Sequence, residues 1–444
     1  MRTRLGLAAL AALLTSLASS PASADGHPLT VEDAVQLALE ANPSLQEARA
    51  HVDAQRALGQ AVRGRLLPSV HVADELQHWN SAYSLGVTPP GQTTLMPTTI
   101  PVNVRDTNTN TFTAFASQPI VGLAHLVHEH DAQVRTAEAG AAQLDSARAE
   151  IREKVETCFV ELFEARALES IAKTSEEELA EQLTIAEVRL KAGMLTRADV
   201  LRVGVSQANA KQQEIQAHAE GEVARARLIG LMGLPVLGST VDLEPPTSLL
   251  AQAEAPLPDA AAAERAAVAR RPEMHQQKLA ADAAHHVERA RAFGLLPDVD
   301  LEGGYIRTDG AALNPANAAY VGLRAQWAIW EWGATYYRQK AALAEAHAAE
   351  FAATAEERTI DVEVATDLAH ATSATAAVVV AQQTIESADE AYRVTKAALK
   401  AGTATTTDLL DAQAALTQAR LNLTRARYED ALARVTLRRG LGTP

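Results

Sequence analysis

Between residues 298 and 330 apolar and polar side chains alternate. In "VDLEGGYI", Val299, Leu301 and Tyr305 stand against Asp300 and Glu302. In "VGLRAQWAI", Val321, Leu323, Ala325, Trp327 and Ile329 stand against Gly322, Arg324, Gln326 and Ala328. A period of two gives each segment one apolar and one polar face, the signature of β-strands. Earlier in the chain "VHVADELQHW" and "TNTFTAFASQ" alternate less cleanly, for four strands in all, and the Pro-, Thr- and Asn-rich stretch 80–109 reads as an exposed loop.

Elsewhere the chain loses its punctuation. Residues 334–401 contain neither Gly nor Pro, and 123–192 contain only Gly140. Both are rich in strong helix formers, and about 70 residues at 1.5 Å each make a rod on the order of 100 Å. Such rods must pack lengthwise in coiled-coil fashion. Each ends in "LKAG", where Gly193 or Gly402 can take the left-handed cap conformation. Thr196 with Asp199, and Thr405 with Asp408, then have capping-box spacing for the helices that return, about 196–231 and 405–438. Shorter helices near 43–66 and 272–294 can stack end to end with the returning ones.

The landmarks repeat. Pro43 and Pro272, and Pro68 and Pro297, are 229 residues apart; Gly193 and Gly402, Gly233 and Gly442, and Pro235 and Pro444 are 209 apart. Two homologous halves, 25–235 and 260–444, are joined by a Pro-rich linker at 236–259 with at most short elements.

Arg2 and Arg4, the apolar run Leu5–Leu17 and Ala22-Ser23-Ala24 form a secretory signal peptide over 1–24. Its removal leaves 38 basic against 55 acidic residues, a net charge of about −17, which argues against nucleic acid and anionic headgroups as partners. The single cysteine, Cys158, allows no intrachain disulfide and reads as a small apolar residue. After the signal no run of 18 apolar residues suggests a transmembrane helix, which leaves a β-barrel open. Of 17 aromatic residues, 11 lie in 70–120 and 299–337, with all four tryptophans, Trp79, Trp327, Trp330 and Trp332, among them. Tryptophan gathers at membrane–water interfaces. "HLVHEHD" places His125 and His128 on one helix face, but it lacks the His-Glu-x-x-His signature and reads as a polar helix start, with no metal expected. No phosphate loop, nucleophile elbow or acid–base constellation appears, so neither catalysis nor a cofactor is expected.

Four strands cannot close a barrel, and an open sheet edge is not tolerated in hydrocarbon. Strands that enter a membrane must therefore be pooled from several chains. Taken in order and duplicated, "AVQLALEANPSLQEA", "RLLPSV", the "LKAG…T..D.L" turns and the terminal "GLG" resemble the TolC-like outer-membrane efflux proteins over essentially the whole mature chain. The resemblance implies a mainly α fold of coiled-coil hairpins with a membrane β-barrel portion. It implies a homotrimer with a 12-stranded barrel in the outer membrane of a Gram-negative bacterium and a 12-helix tunnel through the periplasm. The tip turns, with Gly193, Thr196, Asp199, Gly402 and Thr405, would meet a periplasmic adaptor protein fed by an inner-membrane pump. The family's aperture aspartates map onto Asp408 and Asp411, whereas the first tip has Asp199 but Arg202. A basic residue that latches some relatives corresponds to Ala404. The competing reading is a periplasmic coiled-coil scaffold or adaptor without a pore.

Overall fold

The computed structural model describes residues 28–88, 99–238, 241–253, 255–312 and 314–443. The expected signal peptide lies outside them. In chain order the elements are α1 (Val31–Ala41), α2 (Pro43–Gly64), β1 (Ser69–His78), β2 (Tyr83–Val87), β3 (Ile100–Pro119), α3 (Leu123–Lys191), α4 (Arg197–Leu231), α5 (Thr247–Gln252), α6 (Ala260–Arg270), α7 (Pro272–Phe293), β4 (Asp298–Ala311), β5 (Asn317–Gln326), α8 (Ala334–Lys400) and α9 (Thr406–Gly440). The chain divides into two compact units, one taking residues up to Glu40, Lys154–Gln252 and Gln383–Tyr428, the other the remainder.

The long helices begin and end where the punctuation predicts. Pro43 and Pro272 open α2 and α7 in the first turn, where proline loses no helical hydrogen bond. On α3, Leu144, Ile151, Cys158, Ala165, Ala172, Leu179 and Ala186 recur every seven residues, and all are buried. Val203, Ala210, Ala217 and Ala224 do the same on α4. A seven-residue repeat keeps one seam on the partner helix, which is the coiled-coil solution. Small residues bring the backbones close: a Cβ on Gly221 would stand 3.6 Å from that of Ala165. Cys158 is one of these seam residues, and burial pushes its thiol up to about 11.

Within the first unit, Leu179, Ala186, Val203, Ala210 and Leu410 form one apolar cluster, and Leu168, Ala217 and Leu421 another. A bridge between Leu29 and Leu243 ties the start of the described chain to the linker. In the second unit Ala263, Ala267, Met274, Ile360 and Val364 cluster around the α6–α7 junction. Helix α8 is different. Of its 67 residues only Ala342, Ala346, Ile360, Val364, Ala371 and Ala381 are buried, while Phe351, Val362, Val379, Val380 and Val394 are exposed. It also contains an 18-residue window of mean hydropathy 1.3, although its apolar residues form no uninterrupted run of that length. A 67-residue helix far exceeds the roughly 20 residues of a bilayer span, and alanine and valine dominate its apolar side.

The second unit also holds one antiparallel sheet, ordered β1-β3-β4-β5, with β2 pairing onto β3 beyond β1. Here the loop reading of 80–109 is corrected. Tyr83–Val87 pairs with Ile100–Arg105, so a short fifth strand prolongs the first hairpin; residues 89–98 lie outside the described chain. Pro101 is tolerated because that part of β3 has a neighbour only in β2.

The register aligns the alternation across the sheet. Val70 opposes Ala116, which opposes Gly303, which opposes Val321; Val72, Ala114, Tyr305 and Ala319 form the next row. Leu301 opposes Leu323 on the same face. The reverse face carries Glu75, Thr111, Thr113, Ser117, Asp300, Glu302 and Arg324, with Arg324 Nε 3.1 Å from Glu302 Oε1. Val70, Val72, Leu76, Val321 and Leu323 are each more than 60% exposed, so the apolar face is uncovered.

Candidate functional site at the hairpin tips and the sheet

Both tips are built by the same bonds. At the first, Gly193 takes φ +71°, its N–H donates to the Leu190 carbonyl at 2.9 Å, and the Met194 N–H donates to Arg189 at 2.8 Å. At the second, Gly402 takes φ +78°, its N–H donates to Leu399 at 3.2 Å and that of Thr403 to Ala398 at 3.0 Å. These are Schellman caps, which use carbonyls the helix leaves unpaired. The helix ends at Gly233 and Gly442 repeat the arrangement, with Leu234 donating to Ile229 and Thr443 to Arg438. No atom stands within 4 Å of a Cβ placed on Gly402, so its need for glycine is one of backbone conformation alone. Gly402→Ala should therefore cost about 1–2 kcal/mol, seen as easier proteolysis at the tip.

Each capping box closes. Asp199 Oδ2 accepts from the Thr196 N–H at 3.1 Å and its hydroxyl at 2.6 Å, while the Asp199 N–H donates to Thr196 Oγ1. Asp408 Oδ2 accepts from the Thr405 N–H at 2.8 Å and its hydroxyl at 2.7 Å, with the return bond at 3.2 Å. Hydrogen bonds from the Thr405 backbone and then its hydroxyl hold the Asp408 carboxyl below the usual aspartate value. For Asp199 the Thr196 hydroxyl comes first, then its backbone.

Asp411 differs from its neighbour. It is exposed, and no hydrogen bond or ion pair engages it among the described residues. One aspartate of the pair is thus spent on the helix start, and the other is a free charge one turn on. Sequence reasoning missed a link between the tips: Arg202 Nη1 donates to Thr407 Oγ1 at 3.0 Å and lies 3.8 Å from Asp199. The residue that breaks the aspartate pattern in the first tip reaches across to the second. Beside it Ile185, Leu195, Val203, Leu399 and Leu409, with Arg189, Lys396 and Lys400, line a groove of about 410 Å³.

The tryptophans separate to the two ends of the strands. Trp79 follows β1 at the end where β4 turns into β5; its indole N–H donates to Thr109 Oγ1 at 3.1 Å and the Arg105 guanidinium lies 3.6 Å above its ring. Trp327, Trp330 and Trp332 follow the other end of β5 and are 58%, 73% and 86% exposed. Trp330 and Trp332 meet edge to face at 5.6 Å, and Trp332 itself takes φ +54° ahead of Gly333 at +80°. The β1 strand between the two groups has 10 residues, the length that crosses a bilayer.

The chain thus combines capped coiled-coil hairpins with a sheet that has one exposed apolar face. The sequence model of the family described as outer membrane efflux protein matches residues 34–234 and 265–443, and the chain belongs to that family. That family is one of outer-membrane proteins. Among solved structures the chain is similar to the outer-membrane channel OprN, with 22% identity and a TM-score of 0.77 over 93% of this chain and 90% of that one. VceC of Vibrio cholerae is 14% identical, with a TM-score of 0.77 over 93% and 96%. The open state of the MtrE channel of Neisseria gonorrhoeae is 19% identical, with a TM-score of 0.76 over 93% and 89%. At these identities the likeness is one of fold. No curated protein matches the chain significantly.

Proposed function

We propose that the chain is the outer-membrane duct of a tripartite efflux or type I secretion system. It works as a homotrimer that passively conducts substrates from a periplasmic adaptor and an inner-membrane pump to the exterior. In this reading residues 1–24 are a cleaved signal, and 25–235 and 260–444 are two copies of one repeat joined by 236–259.

The observation that carries the proposal is the sheet. An apolar patch through Val70, Val72, Leu301, Val321 and Leu323 is exposed, and among the described residues both edges, β1 with β2 on one side and β5 on the other, lack a partner strand. Hydrocarbon requires those edges to be paired, and three copies of the four long strands supply the 12 that close a barrel. The uncovered valines of α8 fit burial against a neighbouring protomer in the same assembly. At the tips, Asp408 and Asp411 from three chains ring the aperture and attract cations, while the groove beside Arg202 offers the adaptor an apolar floor with a rim of mixed charge, Arg189, Lys396 and Lys400 beside Glu178 and Glu181.

The test is single-channel conductance in planar bilayers, wild type beside Asp408→Asn/Asp411→Asn. Asparagine keeps an acceptor for the Thr405 cap while removing the charge, so a change reports on the aperture rather than on the helix start. Small, cation-selective wild-type currents that grow and lose selectivity in the variant support both the pore and its acidic ring. Identical currents move the constriction elsewhere. Failure of the wild type to insert, under conditions that insert other outer-membrane barrels, would leave the periplasmic scaffold as the better reading.

A further inference from the structure

His128, Asp131 and His286 converge between α3 and α7. His128 Nδ1 and His286 Nδ1 are 3.3 Å apart, and His286 Nδ1 is 3.9 Å from Asp131 Oδ2. One potential ligand atom from each residue lies within 4.8 Å of the others, and all three side chains are partly buried. His128 and Asp131 share a face of α3 at i, i+3 spacing, and α7 brings His286 against it.

Further contacts fix the two helices at this separation. His125 Nδ1 donates to the Ala290 carbonyl at 2.8 Å, one turn from His286. Phe293 stacks on the His128 ring at 5.5 Å, and His130 Nδ1 lies 3.3 Å from the other oxygen of Asp131. Metal-binding carboxylates are steadied in this way by a second hydrogen-bonding neighbour.

We propose that His128, Asp131 and His286 form a site for a divalent transition-metal ion of the zinc class. A tetrahedral ion with Zn–N bonds of about 2.0–2.1 Å sets two ligand nitrogens about 3.3 Å apart, which is the separation of the two imidazoles. The carboxylate must close on His286 by roughly half an ångström, and the three ligand atoms, now within 4.8 Å of one another, are drawn together by side-chain rotation. Two imidazoles and one carboxylate favour Zn²⁺, Ni²⁺ or Cu²⁺ over Ca²⁺ or Mg²⁺, which take oxygen ligands. Three protein ligands leave a fourth position for water.

Arg135 and Arg289 bear electrostatically on His286 and oppose a cation, although Arg135 is itself paired with Glu138 at 2.7 Å. The packing of the repeat does not demand the cluster. The positions 209 residues after His128 and Asp131 are Tyr337 and Lys340, and the position 229 before His286 is Ala57. The cluster therefore has no counterpart at the equivalent positions of the repeat, and it joins a helix of the first half to a helix of the second. Bound metal would brace that junction.

The experiment is calorimetric titration of Zn²⁺ into the tag-free mature protein, stripped with chelator and held in detergent, with Co²⁺ as a spectroscopic probe. Wild type should bind one Zn²⁺ per chain and, with Co²⁺, show the visible bands of nitrogen–oxygen coordination. His286→Ala and Asp131→Asn should each weaken binding at least ~10-fold and abolish those bands. His285→Ala, whose ring pairs with Glu350 at 2.9 Å, should leave both readouts unchanged. Absence of stoichiometric binding to the wild type overturns the proposal. So does equal binding by His286→Ala and Asp131→Asn, with thermal unfolding of the metal-free proteins showing that each variant is folded.

Discussion

Arginine at position 323 is expected to keep the protein from assembling in the outer membrane, and arginine at position 322 is not. Leu323 lies on the apolar face, 68% exposed and directly opposite Leu301. An arginine in the middle of that face costs about 2–4 kcal/mol per chain in hydrocarbon, and every protomer of an assembly bears it. Gly322 points to the other face, opposite Glu302, with no atom within 4 Å of a Cβ placed there. A guanidinium at 322 gains a carboxylate neighbour already paired with Arg324 on that polar side. Fractionation and heat-modifiable gel migration read the outcome. Leu323→Arg should fail to reach a folded, membrane-embedded form, and Gly322→Arg should reach it. Equal behaviour of the two variants would remove the assignment of the faces.

Arg271→Ala is expected to lower stability by about 3 kcal/mol, toward the lower end for breaking a buried ion pair from one side. The Arg271 side chain is only 3% exposed, between Glu273, whose Oε2 is 3.3 Å from its Nε, and Glu363. Glu273 also accepts from Ser146 at 2.8 Å and lies 3.5 Å from Arg439. Burial works against the Glu273 charge, and the Arg271 and Ser146 hydrogen bonds outweigh it, so its carboxyl sits below the usual value. Removing the arginine leaves two carboxylates facing each other. Glu363→Gln should cost less, under about 1 kcal/mol, because that side chain is 41% exposed. The depressed Glu273 value means its contribution is full above the unfolded-state value of 4.5 and is lost as pH falls through the folded one. The gap between wild type and Arg271→Ala in thermal unfolding should therefore narrow with acid.

Helix ends were legible because glycine, proline and Thr-x-x-Asp act locally. Gly193, Gly402 and the two capping boxes state their conformation within six residues of sequence, and the structure places them as read. The strands of the second half were legible for the same reason, since alternation is a local property of an exposed two-faced ladder. In the first half, β2 and the beginning of β3 were not. Thr, Asn and Pro there carry turn chemistry in isolation, and only pairing between Tyr83–Val87 and Ile100–Arg105 makes them strands. The link from Arg202 to Thr407 and the convergence of His128 with His286 join residues 205 and 158 apart. Such contacts follow from how helices pack: the sequence places His125 and His128 on one face of a polar helix start but does not bring a histidine of α7 to it.

The open edges have a kinetic consequence. Among its described residues a lone chain brings to the bilayer two rows of unpaired backbone groups, each costing several kcal/mol in hydrocarbon, together with the apolar face that draws it there. In the proposed trimer, entry into the membrane and docking with other copies are then expected to proceed as a single concerted event. Its rate depends on a power of protein concentration greater than one, and dilution arrests the protein as a water-exposed, aggregation-prone monomer rather than as a partly inserted one.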